Sequence, residues 1–283
     1  MVREHDFRDR DLWGIENRLV NTVASGEVFV RLLRTDLGII RAVDEAARRR
    51  PAPVGVVFDG DDTLWSTEPL YDDARQAAAS VVSKAGLDPL VWERLERRID
   101  VQNAATLGHS VDRFPTSCVQ AYRDLCELNR HAFDARVATV IKETAASVFH
   151  QLAPLMPGVR ETLSALRGRG YKLALLTKGD EAVQERRIEH SGLRPYFDIV
   201  RIVSEKTTEA IKAVVKDLGV DPPSAWMVGN SMRSDVLPAL AAGVQAVWIN
   251  AHVWEYERSH DHLVDHRVLT VDRIDDLLTV IAA

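Results

Sequence analysis

The chain has 283 residues, of which 46% are hydrophobic and 28% charged, and a formal net charge of −6. That length allows one large domain or two modest ones. With only 15 Gly and 11 Pro, the composition excludes disordered, collagen-like and low-complexity classes, and the acidic balance argues against a nucleic-acid partner, whose binding surface is normally basic.

Residues 1–50 read as a helical N-terminal extension. Leu12, Ile15, Leu19 and Val23, then Val28, Leu32, Ile39 and Val43, recur at mostly helical spacing, broken at Gly26 and Gly38. The charged start from Met1 to Asp6 has no apolar stretch after it, so no secretory signal is expected. The Arg48, Arg49 and Arg50 run suits a solvated helix end. The apolar periodicity makes packing against the rest of the chain, or a homodimer contact, the expectation for this segment.

Val54 to Phe58 is a short β-branched run that stops at acids, as a buried parallel strand does. From about 72 to 150 no such run appears. Amphipathic helical stretches there are separated by breakers at Gly86, Pro89, Gly108 and Pro115. Strand and helix then alternate: helix 159–168, strand 172–176, helix 181–191, strand 199–203, helix 207–218, strand 225–228, helix 234–242 and strand 246–249, with a last strand and helix near 268–281. Repeated units of this kind imply an α/β fold, a Rossmann-like parallel sheet with helices on both faces and a helical block inserted after the first strand. The core is then 51–70 with 152–283, and the insert 71–151.

Cys118 and Cys126 fall in one helical stretch, where their Cα atoms would lie about 12 Å apart, too far for a disulfide. Two unpaired thiols suit a reducing, cytoplasmic setting. The run Val236 to Trp254 carries Pro238, Gly243, Gln245 and Asn250, which makes it helix, turn and strand rather than a membrane span.

In open parallel sheets ligands bind beyond the carboxyl ends of the strands. Polar clusters stand at each of these ends: Asp59, Asp61, Asp62 and Thr63; Thr177 and Lys178; Ser204 to Lys206; and Asn230 to Asp235. Asp59, Asp61 and Asp235 together would repel unless a hard cation neutralised them, and oxygen donors of this kind suit Mg²⁺. Thr177 and Lys206 supply donors for an anion, with Lys178 competing for that role. Lys206 is preferred because it follows a strand and opens a helix. Carboxylate nucleophile, second carboxylate, metal and phosphate donors together describe phosphoryl transfer.

On these motifs the chain resembles the haloacid dehalogenase superfamily. The resemblance rests on Asp59, Asp61 and Thr63 as Asp-x-Asp-x-Thr, on Thr177 and Lys206 as the second and third motifs, and on Asn230 to Asp235 as the fourth. It covers about 54–281. It implies that Asp59 attacks phosphorus, that Asp61 protonates the leaving oxygen and then activates water, and that Thr177 and Lys206 hold the phosphoryl group. It further implies that Asp59, the Asp61 carbonyl and Asp235 hold Mg²⁺, and that the insert is a helical cap over a small phosphorylated metabolite. Many relatives carry Asp where Asn230 stands. Asn offers a neutral oxygen but removes one charge, which shifts the ligating burden to Asp235. The expected activity is a Mg²⁺-dependent phosphatase working through an aspartyl-phosphate. The alternatives are a 2-haloacid dehalogenase, against which Asp61 argues because a leaving halide needs no proton, and a non-catalytic phosphometabolite binder.

Blander roles are expected elsewhere. Asp62 reads as a turn or cap residue, Lys212 as a solvated face, and Trp92, Phe114 and Tyr122 as helix packing. His260, His262 and His266 read as a polar loop, and Trp248 and Trp254 as packing residues. Arg113 near the edge of the insert is a candidate for a second anionic group on the substrate.

Overall fold

A computed structural model describes residues 54–250, 254–257 and 265–281. The extension expected over 1–50, with its homodimer contact and arginine run, lies outside the described residues, as do His260 and His262.

Strand β1 (Gly55–Phe58) is fully buried at the centre of a six-stranded sheet of order β3-β2-β1-β4-β5-β6. The other strands are β2 (Lys172–Lys178), β3 (Ile199–Val203), β4 (Ala225–Gly229), β5 (Gln245–Ile249) and β6 (Val268–Val271), and every pairing is parallel. Strand side chains alternate between the two faces. Val56, Phe58, Leu173 and Leu175 enter one apolar cluster, whereas Val57, Ala174 and Leu176 enter the other. The chain winds outward from β1 through β2 to β3, then returns to β4 on β1's other side. This places the reversal of strand order beside the end of β1, where ligands of such sheets bind.

Four helices lie between β1 and β2: α1 (Glu68–Lys84), α2 (Pro89–Leu107), α3 (Arg113–Leu128) and α4 (Ala135–Ala146). They pack around an apolar cluster of their own that includes Ala78, Trp92, Phe114, Tyr122, Leu125 and Ile141. The Trp92 indole also donates to the Cys118 carbonyl at 3.1 Å. Cys118 and Cys126 are buried and unbridged within α3. Pro115 does not separate helices. It sits in the first turn of α3, where its missing N–H costs nothing.

The crossover helices match the alternation in the sequence: α5 (Val159–Gly168), α6 (Glu181–Ser191) and α7 (Thr208–Leu218). Asp180 caps α6 by accepting from the Val183 N–H at 3.1 Å, and Gly192 ends it at φ 64°, a left-handed conformation that glycine adopts without steric cost. Two departures from the sequence reading bear on the site. β2 continues to Lys178 because Thr177 and Lys178 pair with Ile202 and Val203 of β3. The helix expected at 234–242 is split into a wide π-type turn (Met232–Val236) and a short α8 (Leu237–Ala241). Such turns recur at functional sites. A short helix α9 (Leu277–Val280) closes the described chain. Among the described residues no helix is long and apolar enough to cross a membrane.

Candidate active site

The loop leaving β1 is built to turn acids toward the sheet's carboxyl edge. The Gly60 carbonyl accepts from Leu64 N at 2.8 Å and from Trp65 N at 3.2 Å, closing a tight turn. A Cβ on Gly60 would stand 2.5 Å from the Trp65 ring, so a side chain there would spoil that turn. Asp62 adopts φ 57°, and its carboxylate accepts from Thr67 N (2.8 Å), Thr67 Oγ1 (2.6 Å) and Glu68 N (3.0 Å). Asp62 therefore caps α1 and fixes where the helical insert leaves the core.

Asp59 is buried directly after β1, and its own N–H bonds the Val228 carbonyl of β4 at 2.9 Å. One carboxylate oxygen of Asp59 accepts from the Lys206 ammonium and the other from Thr63 Oγ1 at 3.3 Å. Lys206 also donates to Asp235 Oδ1 at 2.7 Å, and Asp235 Oδ2 accepts from Ser231 N at 2.9 Å. The Lys206 and Asp235 side chains are 2% and 1% exposed. The π-type turn lets Asp235 fold back against β4, so closely that a methyl at Gly229 would overlap its carboxylate.

The charges of this cluster are uneven. Burial pushes the Asp59 carboxyl up to about 7, against the pull of Lys206 and with the Asp235 charge adding to the rise. The two carboxylates hold Lys206 firmly in its ammonium form despite its burial. Thr177 Oγ1 lies at the same cavity, buried and without a hydrogen-bond partner among the described residues. Such an orphaned hydroxyl is a donor waiting for an acceptor.

Asp61 lines the cavity with its side chain 31% exposed. It accepts from the Trp65 indole at 2.6 Å, from Gln184 Nε2 at 2.9 Å and from Arg187 Nη1 at 2.9 and 2.8 Å. Gln184 and Arg187 stand one turn apart on α6 and so share a face. Lys178 lines the cavity as well, but its ammonium goes to Glu257 and to Ser234 Oγ at 2.6 Å. Glu257 accepts further from Ser231 Oγ at 2.6 Å and Ser234 Oγ at 2.5 Å. Burial alone would raise the Glu257 carboxyl, yet Lys178 and the two hydroxyls hold it down at about 2. Asn230 is buried at the end of β4, and its backbone carbonyl accepts from the Trp248 indole at 2.9 Å.

Asp59, Asp61, Thr177, Lys178 and Lys206 thus converge on one cavity of about 110 Å³, with Asp235 immediately behind Lys206. The helical insert supplies the opposite wall through Tyr71, Arg75, Asp100, His109 and Arg113. Arg113 is no exposed helix end. It is buried, ion-paired with Asp100, and its guanidinium lies 4.2 Å from the Trp254 ring centroid. Trp254 consequently forms part of the cavity wall, whereas Lys212 is exposed and His266, also exposed, stands 3.7 Å from its neighbour Asp265. Arg187, Gln184, Trp65 and Glu257 were not legible as site residues from motif spacing. Their only sequence signal is the shared helical face of Gln184 and Arg187 and the proximity of Trp65 to Asp61.

The chain is similar to known hydrolases. A glyceraldehyde 3-phosphate phosphatase from Methanothermobacter thermautotrophicus is 29% identical over 230 residues, covering 78% of this chain and 95% of the relative. Pyrimidine 5'-nucleotidase YjjG from Escherichia coli is 30% identical over 207 residues, covering 70% of this chain and 86% of the relative. The crystal structure of a haloacid dehalogenase-like family hydrolase from Xanthomonas campestris superposes with a TM-score of 0.66 at 27% identity, covering 82% of this chain and 95% of the other. The family model for haloacid dehalogenase-like hydrolases spans residues 54–243, from the first residue before β1 to just past α8, and so takes in Asp59, Thr177, Lys206 and Asp235 together. With its parallel sheet and a match that spans residues 54–243, the chain belongs to the haloacid dehalogenase-like hydrolases.

Proposed function

We propose that this protein is a Mg²⁺-dependent phosphatase of small phosphate esters, working through a phosphorylated Asp59. The observation that carries the reading is the Lys206 ammonium set between Asp59 and Asp235, with the unpartnered Thr177 hydroxyl on the same cavity. The relatives named above as phosphatase and nucleotidase support the reaction class.

The chemistry follows from these groups. An Asp59 carboxylate oxygen bonds to phosphorus as the bond from phosphorus to the ester oxygen breaks. Thr177 and Lys206 hold the transferring phosphoryl oxygens, replacing water with fixed donors. Asp61 gives a proton to the departing alkoxide, then takes one from the water that attacks phosphorus and releases inorganic phosphate. Arg187, Gln184 and Trp65 fix the Asp61 carboxylate for both transfers. The four helices of the insert act as a cap that limits water in the cavity.

The residues fit a divalent cation. Asp59 and Asp235 bring two buried carboxylates against one ammonium, and burial leaves Asp59 at about 7, short of a counter-charge. Asp59, the Asp61 backbone carbonyl, Asn230 and Asp235 are the hard oxygen donors that would hold it. When bound, Mg²⁺ supplies charge neutralisation for the transferring phosphoryl group.

Halide displacement is disfavoured by Asp61, which sits in the cavity as an acid that a leaving halide does not require. The test is inorganic phosphate release from acetyl phosphate and short alkyl phosphates with Mg²⁺ and with EDTA. Release abolished by EDTA and by Asp59→Asn is expected. Turnover by folded Asp59→Asn would sink the assignment.

A further inference from the structure

The wall that the helical insert presents to the catalytic acids carries an ion pair that is only half used. Asp100 on α2 and Arg113 at the start of α3 both line the cavity, and their side chains are 3% and 9% exposed. They meet through a single N–H···O bond, from Arg113 Nη1 to Asp100 Oδ2. A guanidinium beside a carboxylate commonly makes two parallel bonds, which satisfy both groups. Here the other half of each group is unspent: Asp100 Oδ1 and Arg113 Nε are buried without a hydrogen-bond partner among the described residues. Glu96, one turn before Asp100, also keeps an unpartnered oxygen, but it pairs with Arg75 and does not line the cavity.

Both side chains are fixed in place. The Arg113 guanidinium lies 4.2 Å from the centroid of the Trp254 ring, and that ring stacks on Tyr256 at 4.9 Å and meets His109 edge-on at 5.9 Å. One turn along each helix, Asn103 Nδ2 of α2 donates to Ser117 Oγ of α3 at 3.0 Å, and Ser117 Oγ donates to the Arg113 carbonyl at 2.8 Å. These bonds hold the two helices in register at the pair.

A buried acceptor and a buried donor on one pair call for a group that does both. A hydroxyl qualifies: its O–H goes to Asp100 Oδ1 while its oxygen accepts from Arg113 Nε. An ammonium only donates and would meet the guanidinium charge, whereas a carboxylate only accepts and would meet Asp100. The pair stands across the cavity from Asp59 and Asp61. With phosphorus at Asp59, the part of the ester that reaches this wall is the alcohol half, whose oxygen Asp61 protonates.

From this half-made pair we propose that Asp100 and Arg113 together read a hydroxyl on the leaving alcohol. They are specificity-determining residues of the insert and take no part in the bond changes at phosphorus. The pairing also replaces the expected use of Arg113 against a second anionic group, because Asp100 already meets its charge. The inference rests on the phosphatase reading.

The test compares kcat/KM for racemic glycerol 1-phosphate and propyl phosphate, which share a carbon chain and differ in hydroxyls, with acetyl phosphate as a control that has none. Wild type is expected to prefer glycerol 1-phosphate over propyl phosphate by about a hundredfold or more, since a site built around a substrate hydroxyl rejects the analogue that lacks it. Asp100→Asn places an amide N–H where the acceptor was, and is expected to shrink that preference by about tenfold or more. Equal losses on both esters in Asp100→Asn would mean that the pair only supports the insert, and would overturn the proposal. Should that variant fail to fold, Asp100→Asn combined with Arg113→Gln neutralises both partners and is read in the same way, and the wild-type preference decides if neither folds. Acetyl phosphate turnover with equal rates on the two alkyl esters, or with release from neither, overturns the proposal and leaves the phosphatase reading standing. Release from none of the three overturns both.

Discussion

Arg187 Nη1 donates to both carboxylate oxygens of Asp61, at 2.9 and 2.8 Å, across 126 positions of sequence. The guanidinium is buried, which works against its charge, but Asp61 first and Tyr71 of the helical insert second raise its affinity for the proton. Helix α6, which contains neither a nucleophile nor a phosphate donor in our reading, therefore sets where the second aspartate stands.

If the clamp serves proton delivery, its loss falls on esters whose leaving group needs a proton. Arg187→Ala is expected to lower kcat/KM for glycerol 1-phosphate by about ten- to a hundredfold, since a positioned acid contributes on that scale. Acetyl phosphate, whose acetate departs unprotonated, should fall far less. Arg187→Lys should recover part of the loss. Equal losses for both esters would mean that Arg187 only supports the fold.

Lys206 carries a different weight. Removing its ammonium leaves Asp59 and Asp235 buried together. Lys206→Met is expected to cost about 3–5 kcal/mol of stability at neutral pH as well as all turnover, because an uncompensated buried charge is expensive. Adding Asp235→Asn should restore part of the stability and none of the activity. Urea titrations read this directly, and a loss below about 1 kcal/mol would contradict the pairing.

His109 gives a dependence on pH with a definite sign. Burial first, and Lys178 second, lower its pKa from 6.5 to about 4. The unfolded chain takes up a proton below pH 6.5 that the folded chain refuses until about 4, so stability is full above that window and falls as the pH drops through it. The loss should reach on the order of 3 kcal/mol. Thermal melts of His109→Gln should be correspondingly flatter over the same interval, and parallel curves for the two proteins would refute the burial of a neutral imidazole.

The framework was readable because it is local. Helices α5 and α6 and strand β3 fall where apolar spacing and β-branched runs put them: Val159, Leu163 and Leu166 share the buried face of α5, Val183 and Ile188 that of α6, and β3 is the run Ile-Val-Arg-Ile-Val. Asp59, Thr177 and Lys206 were legible because strand ends announce themselves by an abrupt change from apolar to polar residues. The partners of Asp61 and Lys178 were not. Arg187 and Glu257 reach their carboxylate and ammonium through tertiary contact, and nothing in their neighbourhoods sets them apart from surface charges. The π-type turn was hidden for a related reason. Residues 232–241 carry an acceptable helical pattern, and the fold-back of Asp235 onto Lys206 and Ser231 widens its first turn.

The central claim is that Asp59 itself takes the phosphoryl group. It is tested most directly by quenching the enzyme in acid during turnover of acetyl phosphate with Mg²⁺, reducing with borohydride and mapping the peptides by mass spectrometry. Our account gives conversion of Asp59, and of no other aspartate, to homoserine, with no conversion in Lys206→Met. Phosphate release with Asp59 unmodified at every quench time, or reduction at Asp61 instead, would contradict it.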